Sequence, residues 1–244
     1  YWPSLGRFVS VDPLRGDPRR PQSFNLYAYV RNNPLLLVDP TGKATVLVRD
    51  SKGFRFAMDA NDDGVADEVQ NSAILEKANK RLEQGRVALL FDGQQLYLVY
   101  KNEVLKYHAV SGNELIGGRS NPALQQVKNR GPIPEGLYWT GEIQRWEDLS
   151  IAQKLGAFVS FIPGLKLGKW PRGWLAWGEI RTPLAPNKLS DTFRRSRFFI
   201  RGGTQPGSAG CIDLWSDAPA FFSLFLSLPG HVFAPVVVDY PRRP

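Results

Sequence analysis

The chain is poor in residues that form disulfides or exchange protons near neutral pH. It has one cysteine, Cys211, and two histidines, His108 and His231, among 244 residues. A single cysteine excludes an internal disulfide, so the fold needs no oxidising compartment, and a lone thiol is a candidate nucleophile. A buried, unreactive cysteine is the alternative.

Long hydrophobic runs are also missing. No segment reaches the ~18 consecutive apolar residues that a transmembrane helix needs, and the shorter apolar stretch 218–228 predicts a core element. The chain begins at Tyr1 with neither an initiator methionine nor a signal peptide. We therefore expect it to be a piece of a longer protein.

Glycine and proline, in contrast, are plentiful. The 23 glycines and 19 prolines predict many turns, which favours a β-rich fold over a helical bundle. Hydrophobic residues at 43% and charged residues at 22% are ordinary for a soluble globular protein. The net charge of +8 suits an anionic partner, such as a nucleic acid, a membrane surface, a cell-wall polymer or an acidic inhibitor protein, without choosing among them.

Residues 1–42 differ from the rest in being rich in proline, asparagine and turns. The segments Y-W-P-S-L-G-R-F at 1–8, V-S-V-D-P-L at 9–14 and N-L-Y-A-Y-V-R-N-N-P-L-L-L-V-D-P-T-G at 25–42 resemble the end of an Rhs repeat-associated core. This resemblance implies that the rest of the core forms a β-cocoon around a variable C-terminal toxin, and that a secretion apparatus delivers it.

The same family carries out self-cleavage with paired Asp-Pro motifs near the junction. Asp12 and Asp39 match those motifs. Two neighbouring carboxylates can share a proton and act as acid and base on a peptide bond. Asp-Pro and Pro-Thr-Gly are also common turn formers, so a purely structural role is the alternative.

An acidic loop follows the junction, between a predicted hairpin (45–48 with 54–58) and a predicted amphipathic helix (71–85). Its spacing follows the front half of a calcium-binding loop. The oxygen ligands would be Asp59, Asn61, Asp63 and Asp67. Gln70 stands where such loops place a bidentate carboxylate, so a structural calcium ion here would bind weakly or need another donor. An Asx-turn loop that caps the helix is the alternative.

Strand-forming residues dominate the next segment. Residues 87–91, 96–100 and 104–110 predict a meander of short strands separated by turns. Together with Gly-Pro-Ile-Pro-Glu-Gly-Leu-Tyr at 131–138, this order resembles the first half of an L,D-transpeptidase catalytic domain. The resemblance covers about residues 86–240 and implies a mainly β sandwich or barrel with a few short helices.

Residues 146–178 are predicted to be an insertion into that domain. A helical stretch at 149–161 precedes a loop rich in glycine, proline, tryptophan and basic residues. Rings beside basic groups can stack on sugars or bases, which makes Trp170 and Trp174 candidate substrate-binding residues. We expect the insertion to form a lid over the active site; tryptophans packed beneath a long surface loop are the alternative.

The stretch F-F-I-R-G-G-T-Q-P-G-S-A-G-C-I-D-L at 198–214 is the most informative one. It predicts a strand, then a Gly/Pro-rich loop, then a thiol flanked by small residues that a substrate carbonyl can approach closely. Gly203, Gly207 and Gly210 permit the tight turns that aim backbone amides at an oxyanion. The sequence therefore favours a reactive Cys211 borne on a loop.

This stretch resembles the active-site segment of L,D-transpeptidases, especially the shortened form in peptidoglycan-targeting type VI secretion effectors. The family's Ser-x-Gly-Cys matches Ser208, Gly210 and Cys211, and its His-Gly matches Arg201 followed by glycine. The resemblance implies that these residues form the catalytic centre. The neighbours expected to contact substrate are Gly202, Gly203 and Asp213.

Arg201 replaces the histidine that activates the thiol in that family. Arginine cannot accept a proton, but a positive charge ~4 Å from the sulfur at an effective dielectric of ~20 favours the thiolate by up to about 4 kcal/mol. Because arginine cannot protonate the departing amine, a second acid is needed. His108 is the first candidate, whereas His231 is expected to cap a turn. Asp213 is expected to pair with Arg201 or to orient the loop.

Arg201 also leaves two other interpretations open. It can anchor a carboxylate of the stem peptide, or it can mark a domain that has lost catalysis. The competing functions are then a degenerate domain that binds cell wall or a partner, and a nucleic-acid-directed toxin. Against the latter, the C-terminal half has no carboxylate or histidine cluster with metal-ligand spacing.

These patterns predict an Rhs-core tail over 1–42, a hairpin, loop and helix over 43–85, and a catalytic domain over 86–244. The predicted function is an antibacterial toxin that attacks peptidoglycan stem peptides through a Cys211 acyl-enzyme. It would act as an L,D-carboxypeptidase or exchange D-amino acids, without a required cofactor. Its expected partners include a cognate immunity protein, and its expected place of action is the periplasm of a target cell.

Overall fold

The computed structural model describes residues 44–50, 53–59, 73–159, 170, 173–188, 190–204 and 207–240. Both predicted self-cleavage residues, Asp12 and Asp39, lie outside the described residues. So do three of the four predicted calcium ligands, Asn61, Asp63 and Asp67. The fourth, Asp59, is the last residue of a described strand. The proposed cleavage junction and calcium loop therefore stay predictions.

Short strands account for most of the regular structure. The strands are β1 (Ala44–Asp50), β2 (Gly53–Asp59), β3 (Ala88–Phe91), β4 (Gln95–Tyr100), β5 (Glu103–His108), β6 (Val110–Gly112), β7 (Leu115–Ile116), β8 (Arg119–Ser120), β9 (Gly136–Thr140), β10 (Gln144–Arg145), β11 (Ile180–Pro186), β12 (Phe198–Arg201), β13 (Ser208–Asp213) and β14 (Pro235–Val238). The helices are α1 (Ala73–Glu83), α2 (Ile151–Val159), α3 (Gly173–Trp177) and α4 (Ala218–Ser227). Short 3₁₀ turns cover Pro122–Leu124 and Trp215–Asp217.

One curved sheet dominates the described part of the chain. Its strand order is β5-β4-β3-β14-β9-β11-β12-β13-β6, with β10 paired to β11. The two outermost strands, β5 and β6, follow each other along the chain, so the sheet closes almost into a barrel. Most neighbours are antiparallel, but β12 pairs with β13, and β14 with β3, in parallel. This architecture confirms the expected mainly β class with a few short helices.

Alternation along the strands divides the apolar residues between two cores. Successive side chains of a strand point to opposite faces of the sheet. Leu89 and Phe91 of β3 therefore face the inner core, while Ala88 and Leu90 face a second core on the outside. The predicted meander is confirmed, although the segment 104–110 divides into the two end strands of the sheet rather than forming one strand.

Helix α4 fills the inner core. Phe221, Phe222 and Phe225 are buried there, and Phe221 packs edge-to-face on Tyr107 with 5.3 Å between ring centroids. The expectation that the apolar stretch 218–228 is a core element is confirmed. Truncating a buried phenylalanine to alanine costs about 3–5 kcal/mol in general, so this helix is a main source of stability.

The β1–β2 hairpin and helix α1 cover the outer core. Leu75 and Ala78 of α1 pack with Phe56 of β2 against the sheet. The Asn79 side chain accepts from the Phe56 N–H at 2.7 Å and donates to the Phe56 carbonyl at 2.6 Å. The predicted hairpin is confirmed, and the predicted helix is confirmed over Ala73–Glu83. It ends just before Gly85, whose φ of +66° is the left-handed conformation typical of a helix stop.

The described part of the predicted insertion contains two short helices. Helix α2 is confirmed at Ile151–Val159, inside the predicted 149–161, and α3 lies at Gly173–Trp177, where a loop was expected. Residues 160–169 and 171–172 lie outside the described residues. None of the described helices is both long and apolar enough to cross a membrane.

Candidate active site around Cys211

Cys211 lies within a strand, which corrects the expectation of a loop-borne thiol. In the parallel pair β12–β13, Ile200 is opposite Ile212, and both are buried in the inner core. Because side chains alternate along a strand, Arg201, Cys211 and Asp213 point to the outer face of the sheet. The structure thus brings together three of the residues that the sequence singled out, on two adjacent strands.

Ser208 holds the backbone of Cys211. Its Oγ accepts the Cys211 N–H at 2.9 Å and donates to the Cys211 carbonyl at 2.8 Å. The register shifts within β13 at this point, which produces a local bulge in its pairing with β6. The Cys211 amide is therefore engaged by Ser208 and is not free to bind an oxyanion. Ser208 positions the nucleophile through its main chain.

The Cys211 thiol is enclosed rather than exposed. The residue is 5% exposed, and its Sγ lies 4.0 Å from the Arg197 carbonyl oxygen. Burial raises the pKa of the Cys211 thiol above its ordinary value, and this effect outweighs the opposing influence of the Arg201 charge. The thiol is consequently protonated at neutral pH in this structure, whereas the sequence predicted a thiol open to substrate.

Arg201 is fully engaged in internal contacts. Its Nη2 lies 2.9 Å from Oδ2 of Asp213, in an ion pair that is buried on both sides. Its Nη1 donates to the carbonyls of Ala176 and Gly202, and Nη2 donates to the Gly207 carbonyl at 3.3 Å. Arg201 therefore joins helix α3 and both ends of the Gly202–Gly207 loop to the sheet. The expected pairing of Arg201 with Asp213 is observed.

Asp213 is fully buried, which differs from its expected contact with substrate. Its Oδ1 accepts the Trp215 N–H at 3.1 Å, and its other oxygen faces Arg201. Burial raises the pKa of the Asp213 carboxyl to about 6, despite the opposing effect of Arg201. Its role in this structure is to neutralise Arg201 and to fix the start of the Trp215–Asp217 turn.

Helix α3 covers this outer face. The Thr204 N–H and Oγ1 both donate to the Leu175 carbonyl, at 2.9 and 3.0 Å, and Arg201 donates to the carbonyl of the next residue. Gly178, just after the helix, approaches Gly202 so closely that a Cβ added to it would lie 3.0 Å from the Gly202 backbone. The end of the insertion thus packs directly over the strand pair that bears Cys211.

A stacked cluster beside this cover contains Arg181, which sequence reasoning missed. The Arg181 guanidinium lies over the rings of Trp170, Trp177 and Phe199, at 3.9, 4.7 and 4.5 Å from their centroids. Burial lowers the pKa of Arg181 to about 10, so it stays charged at neutral pH. Trp170 is only 1% exposed, which corrects its predicted substrate-binding role: it packs on Arg181 and Trp146 instead.

Arg195 is a second buried cation that the sequence did not reveal. It donates to the carbonyls of Gln125, Gly131 and Pro132, at 2.5, 2.7 and 2.5 Å. Gly210, which precedes the thiol, has a φ of +101°. A Cβ on Gly210 would lie 2.5 Å from the Arg195 side chain, so glycine is required for this close approach. Arg195 thereby ties the Gly131–Pro132 segment to the strand of Cys211.

Neither histidine contacts Cys211 in the described part of the chain. The His108 backbone N–H donates to Asp217 Oδ2 at 2.7 Å, and β6, which begins two residues later, pairs with the strand of Cys211. The role of His108 as acid and base of the thiol stays a prediction. The His231 ring nitrogen Nδ1 lies 2.9 Å from the Leu228 carbonyl, in the turn that follows α4, as expected for a turn-capping residue.

An open pocket of about 580 Å³ lies beside the covered thiol. Its walls include Trp174, Gly202, Gly203, Trp215 and Phe222. The structure therefore places three predicted substrate-binding residues, Trp174, Gly202 and Gly203, around one cavity. Neither Cys211 nor Trp170 lines it.

Comparisons with known proteins give remote likenesses only. No known family and no curated protein sequence matches the chain. A structure of Bdellovibrio bacteriovorus Bd1075 aligns with 64% of this chain and 48% of its own, at 15% identity and a TM-score of 0.36. A crystal structure of the L,D-transpeptidase from Xylanimonas cellulosilytica aligns with 63% of this chain and 60% of its own, at 18% identity and a TM-score of 0.33.

This chain thus spans about half of the first solved chain and three fifths of the second. At these TM-scores, neither likeness assigns a family or an activity to it. Across the parts of the chain that the structure describes, no group of three or more His, Cys, Asp or Glu side chains could hold a metal ion. The charged side chains that the structure places around Cys211 are those of Asp213, Arg181, Arg195 and Arg201.

Proposed function

We propose that this chain is a cysteine acyl-transfer enzyme that cleaves stem peptides of peptidoglycan through a thioester on Cys211. One observation carries the proposal: Ser208 fixes the Cys211 backbone while the side chains of Cys211, Arg201 and Asp213 share one face of β12 and β13. Residues 198–214 also resemble the active-site segment of L,D-transpeptidases. A thiol beside a cation and a carboxyl has the parts that nucleophilic catalysis needs.

The proposed cycle begins with displacement of α3, because a buried thiol cannot meet a peptide. Asp213, two residues beyond Cys211 on the same strand face, takes the thiol proton. The thiolate sulfur then adds to a stem-peptide carbonyl carbon, the C–N bond breaks, and the amine leaves with the proton that Asp213 returns. Arg201 stabilises the thiolate by its charge.

The resulting thioester has two possible fates. Attack by water gives a shortened stem with a free carboxyl and restores the thiol, which is L,D-carboxypeptidase activity. Attack by the amine of a free D-amino acid gives a new amide and restores the same thiol, which is exchange. Both fates deprive crosslinking enzymes of their normal donor peptide.

The test is mass spectrometry of purified tetrapeptide muropeptides incubated with the protein, with and without a free D-amino acid. Wild type is expected to shorten or exchange the terminal residue, whereas Cys211→Ala is expected to leave the muropeptides intact. Asp213→Asn is expected to slow the reaction strongly, because it removes the carboxyl that takes the thiol proton. Intact muropeptides with the wild type under all conditions would reject the proposal.

A second candidate is a domain that binds cell wall or a partner protein without turnover. The observation in its favour is that the thiol is buried with a raised pKa while Arg201 is saturated by internal contacts. This candidate predicts that Cys211→Ala keeps the biological effect of the wild type. The enzymatic proposal predicts that the same substitution abolishes it.

The biological setting that we propose is that of an Rhs toxin, delivered to a competing cell and blocked by an immunity protein. The support for this setting is the resemblance of residues 1–42 to the end of an Rhs core. Expression of the chain with and without a periplasmic export signal tests it. A cell-wall toxin is expected to kill only from the periplasm, and killing from the cytoplasm alone would point to an intracellular target such as nucleic acid.

A further inference from the structure

The pocket beside the covered thiol has walls suited to a flat ligand. Trp174 on α3 and Trp215 at the start of the Trp215–Asp217 turn are 40% and 41% exposed, and both line the cavity. Phe222, Ile180 and Leu226 add apolar surface between them. Its volume of about 580 Å³ lies within the range of small-ligand sites, which combine apolar walls with a few polar groups.

The polar groups of this pocket favour a neutral ligand with hydroxyl or amide groups. Arg145 and Glu179 carry opposite charges, and Thr204 and Ser223 contribute hydroxyls. Arg145 is also paired with Glu147 at 3.7 Å. A purely apolar ligand would form no hydrogen bonds with these polar groups, and a charged ligand would meet both signs at once. A sugar ring presents an apolar face to an aromatic side chain and hydroxyls at its edges.

The walls of the pocket are adjacent along the chain to the residues of the candidate active site. Gly202 and Gly203, which form part of its wall, directly follow Arg201. Trp215 is four residues after Cys211, so at most about 14 Å of chain separates the pocket wall from the thiol. A three-residue peptide spans about 10 Å when extended. Because Leu214 has helical backbone angles, the distance from Cys211 to Trp215 is shorter than the extended limit of about 14 Å, and a stem peptide attached to a sugar in the pocket has a comparable length.

We propose that this pocket binds an N-acetylated sugar of the peptidoglycan glycan strand, with one ring face on Trp174 or Trp215. This inference rests on the proposed function for the identity of the substrate, and it adds that the enzyme recognises the glycan as well as the peptide. Recognition of the sugar anchors the stem peptide so that its scissile bond lies near Cys211.

The test is isothermal titration calorimetry with two separate probes: chitotetraose, an N-acetylglucosamine tetramer without peptide, and a free stem tetrapeptide without sugar. Wild type is expected to bind chitotetraose. The Kd is expected to rise about tenfold or more in Trp174→Ala and Trp215→Ala, equivalent to the loss of one aromatic contact. Phe233→Ala is the matched control, since Phe233 is a 60% exposed aromatic that does not line the pocket, and its Kd should stay unchanged.

A filling variant covers the possibility that a tryptophan substitution disturbs the fold. Ser223 is exposed on α4 and lines the pocket, so Ser223→Trp should fold and abolish chitotetraose binding by occupying the site. No binding of chitotetraose to wild type at millimolar concentration would overturn the inference. Equal binding to wild type, Trp215→Ala and Ser223→Trp would overturn it too, as would binding of the stem tetrapeptide alone in this pocket.

The same variants separate this inference from the proposed function. Cys211→Ala should bind chitotetraose like wild type but leave muropeptides intact. If wild type binds chitotetraose but cleaves no muropeptide, the glycan site stands and the enzymatic proposal is rejected. If Ser223→Trp cleaves muropeptides as fast as wild type does, the enzymatic proposal stands and the glycan site is rejected.

Discussion

The covered site around Cys211 and the open pocket lined by Trp174 and Trp215 differ in their accessibility to a ligand. On one side, Cys211 lies with Arg201 and Asp213 under helix α3, and their polar groups contact one another or backbone carbonyls. On the other side, the pocket with Trp174 and Trp215 is open but has no nucleophile. The side chains that we propose to react are buried, whereas the tryptophans that we propose to contact a ligand are exposed.

This difference makes α3 the element that separates the proposed binding pocket from the proposed nucleophile. The described contacts that hold it include hydrogen bonds from Arg201 to the Ala176 carbonyl and from Thr204 to the Leu175 carbonyl, and the packing of Trp177 on Arg181 and Phe199. Trp174 belongs to the same helix and lines the pocket. The wall of the pocket and the cover of the thiol therefore share this helix.

The largest expected effect concerns the closed side. Arg201→Met leaves the buried Asp213 carboxyl without its cation, and breaking such a pair should lower the free energy of unfolding by about 3–5 kcal/mol. Urea denaturation measures this change. The matched control is Arg145→Met at the edge of the open pocket, whose ion pair with Glu147 is exposed and should contribute less than about 1 kcal/mol. Similar losses in both variants would contradict the difference between the two sides.

Ser208→Ala should have the next largest effect. It removes the hydroxyl that satisfies both the N–H and the carbonyl of buried Cys211, so unfolding should become easier by about 2–3 kcal/mol. Ser227→Ala provides the control, because Ser227 makes a single exposed hydrogen bond to the Leu224 carbonyl. If the two serine variants have the same midpoint of thermal unfolding, Ser208 does not fix the Cys211 backbone.

The pH dependence of stability tests the burial of Asp213. Its pKa is raised in the folded protein to about 6 from an ordinary value of 3.8, so the native state binds this proton more tightly than the unfolded state. The resulting stabilisation is present below the unfolded pKa and is lost as the pH rises through about 6. Between pH 4 and pH 7, wild type should lose about 2 kcal/mol relative to Asp213→Asn. Parallel stability curves would show that Asp213 titrates normally.

The smallest effect concerns the cover itself. Thr204→Val removes one exposed hydrogen bond to the Leu175 carbonyl, which should ease the opening of α3 by about 0.5–1 kcal/mol. Labelling of Cys211 by a small thiol reagent should then proceed about 2–5 times faster than in wild type, because it follows the population of the open form. Thr204→Ser keeps the hydroxyl and should label at the wild-type rate. A wild-type rate for Thr204→Val as well would mean that this contact does not hold the cover.

The main β elements and helix α1 could be predicted from the sequence because they depend on local patterns. Strand-forming runs indicated β3 and β4, apolar spacing indicated α1, and the apolar stretch 218–228 indicated a core element without indicating that it is a helix. The grouping of Cys211 with Arg201 and Asp213 also followed from one continuous stretch. These features lie within a few residues of each other along the chain.

A cover formed by the insertion was expected from the sequence, but the contacts that hold it closed could not be predicted in this way. They depend on the main-chain carbonyls of α3, and backbone contacts leave no mark in a sequence. The predicted substrate-binding role of Trp170 was wrong because its stacking partner, Arg181, lies on a separate strand of the sheet and could not be identified from the sequence. Arg195 was missed because its partners are backbone carbonyls, and the only signal was the glycine at 210 that makes room for it.

The most direct test of the account is whether Cys211 becomes acylated. Protein incubated with tetrapeptide muropeptides can be quenched in acid, which preserves thioesters, and weighed intact by mass spectrometry. We expect wild type to gain the mass of a muropeptide lacking its terminal residue, with the adduct mapped to Cys211, and Cys211→Ala to gain nothing. Muropeptide turnover that persists in Cys211→Ala, or a wild type that neither forms the adduct nor changes the muropeptides, would contradict a catalytic role for this thiol.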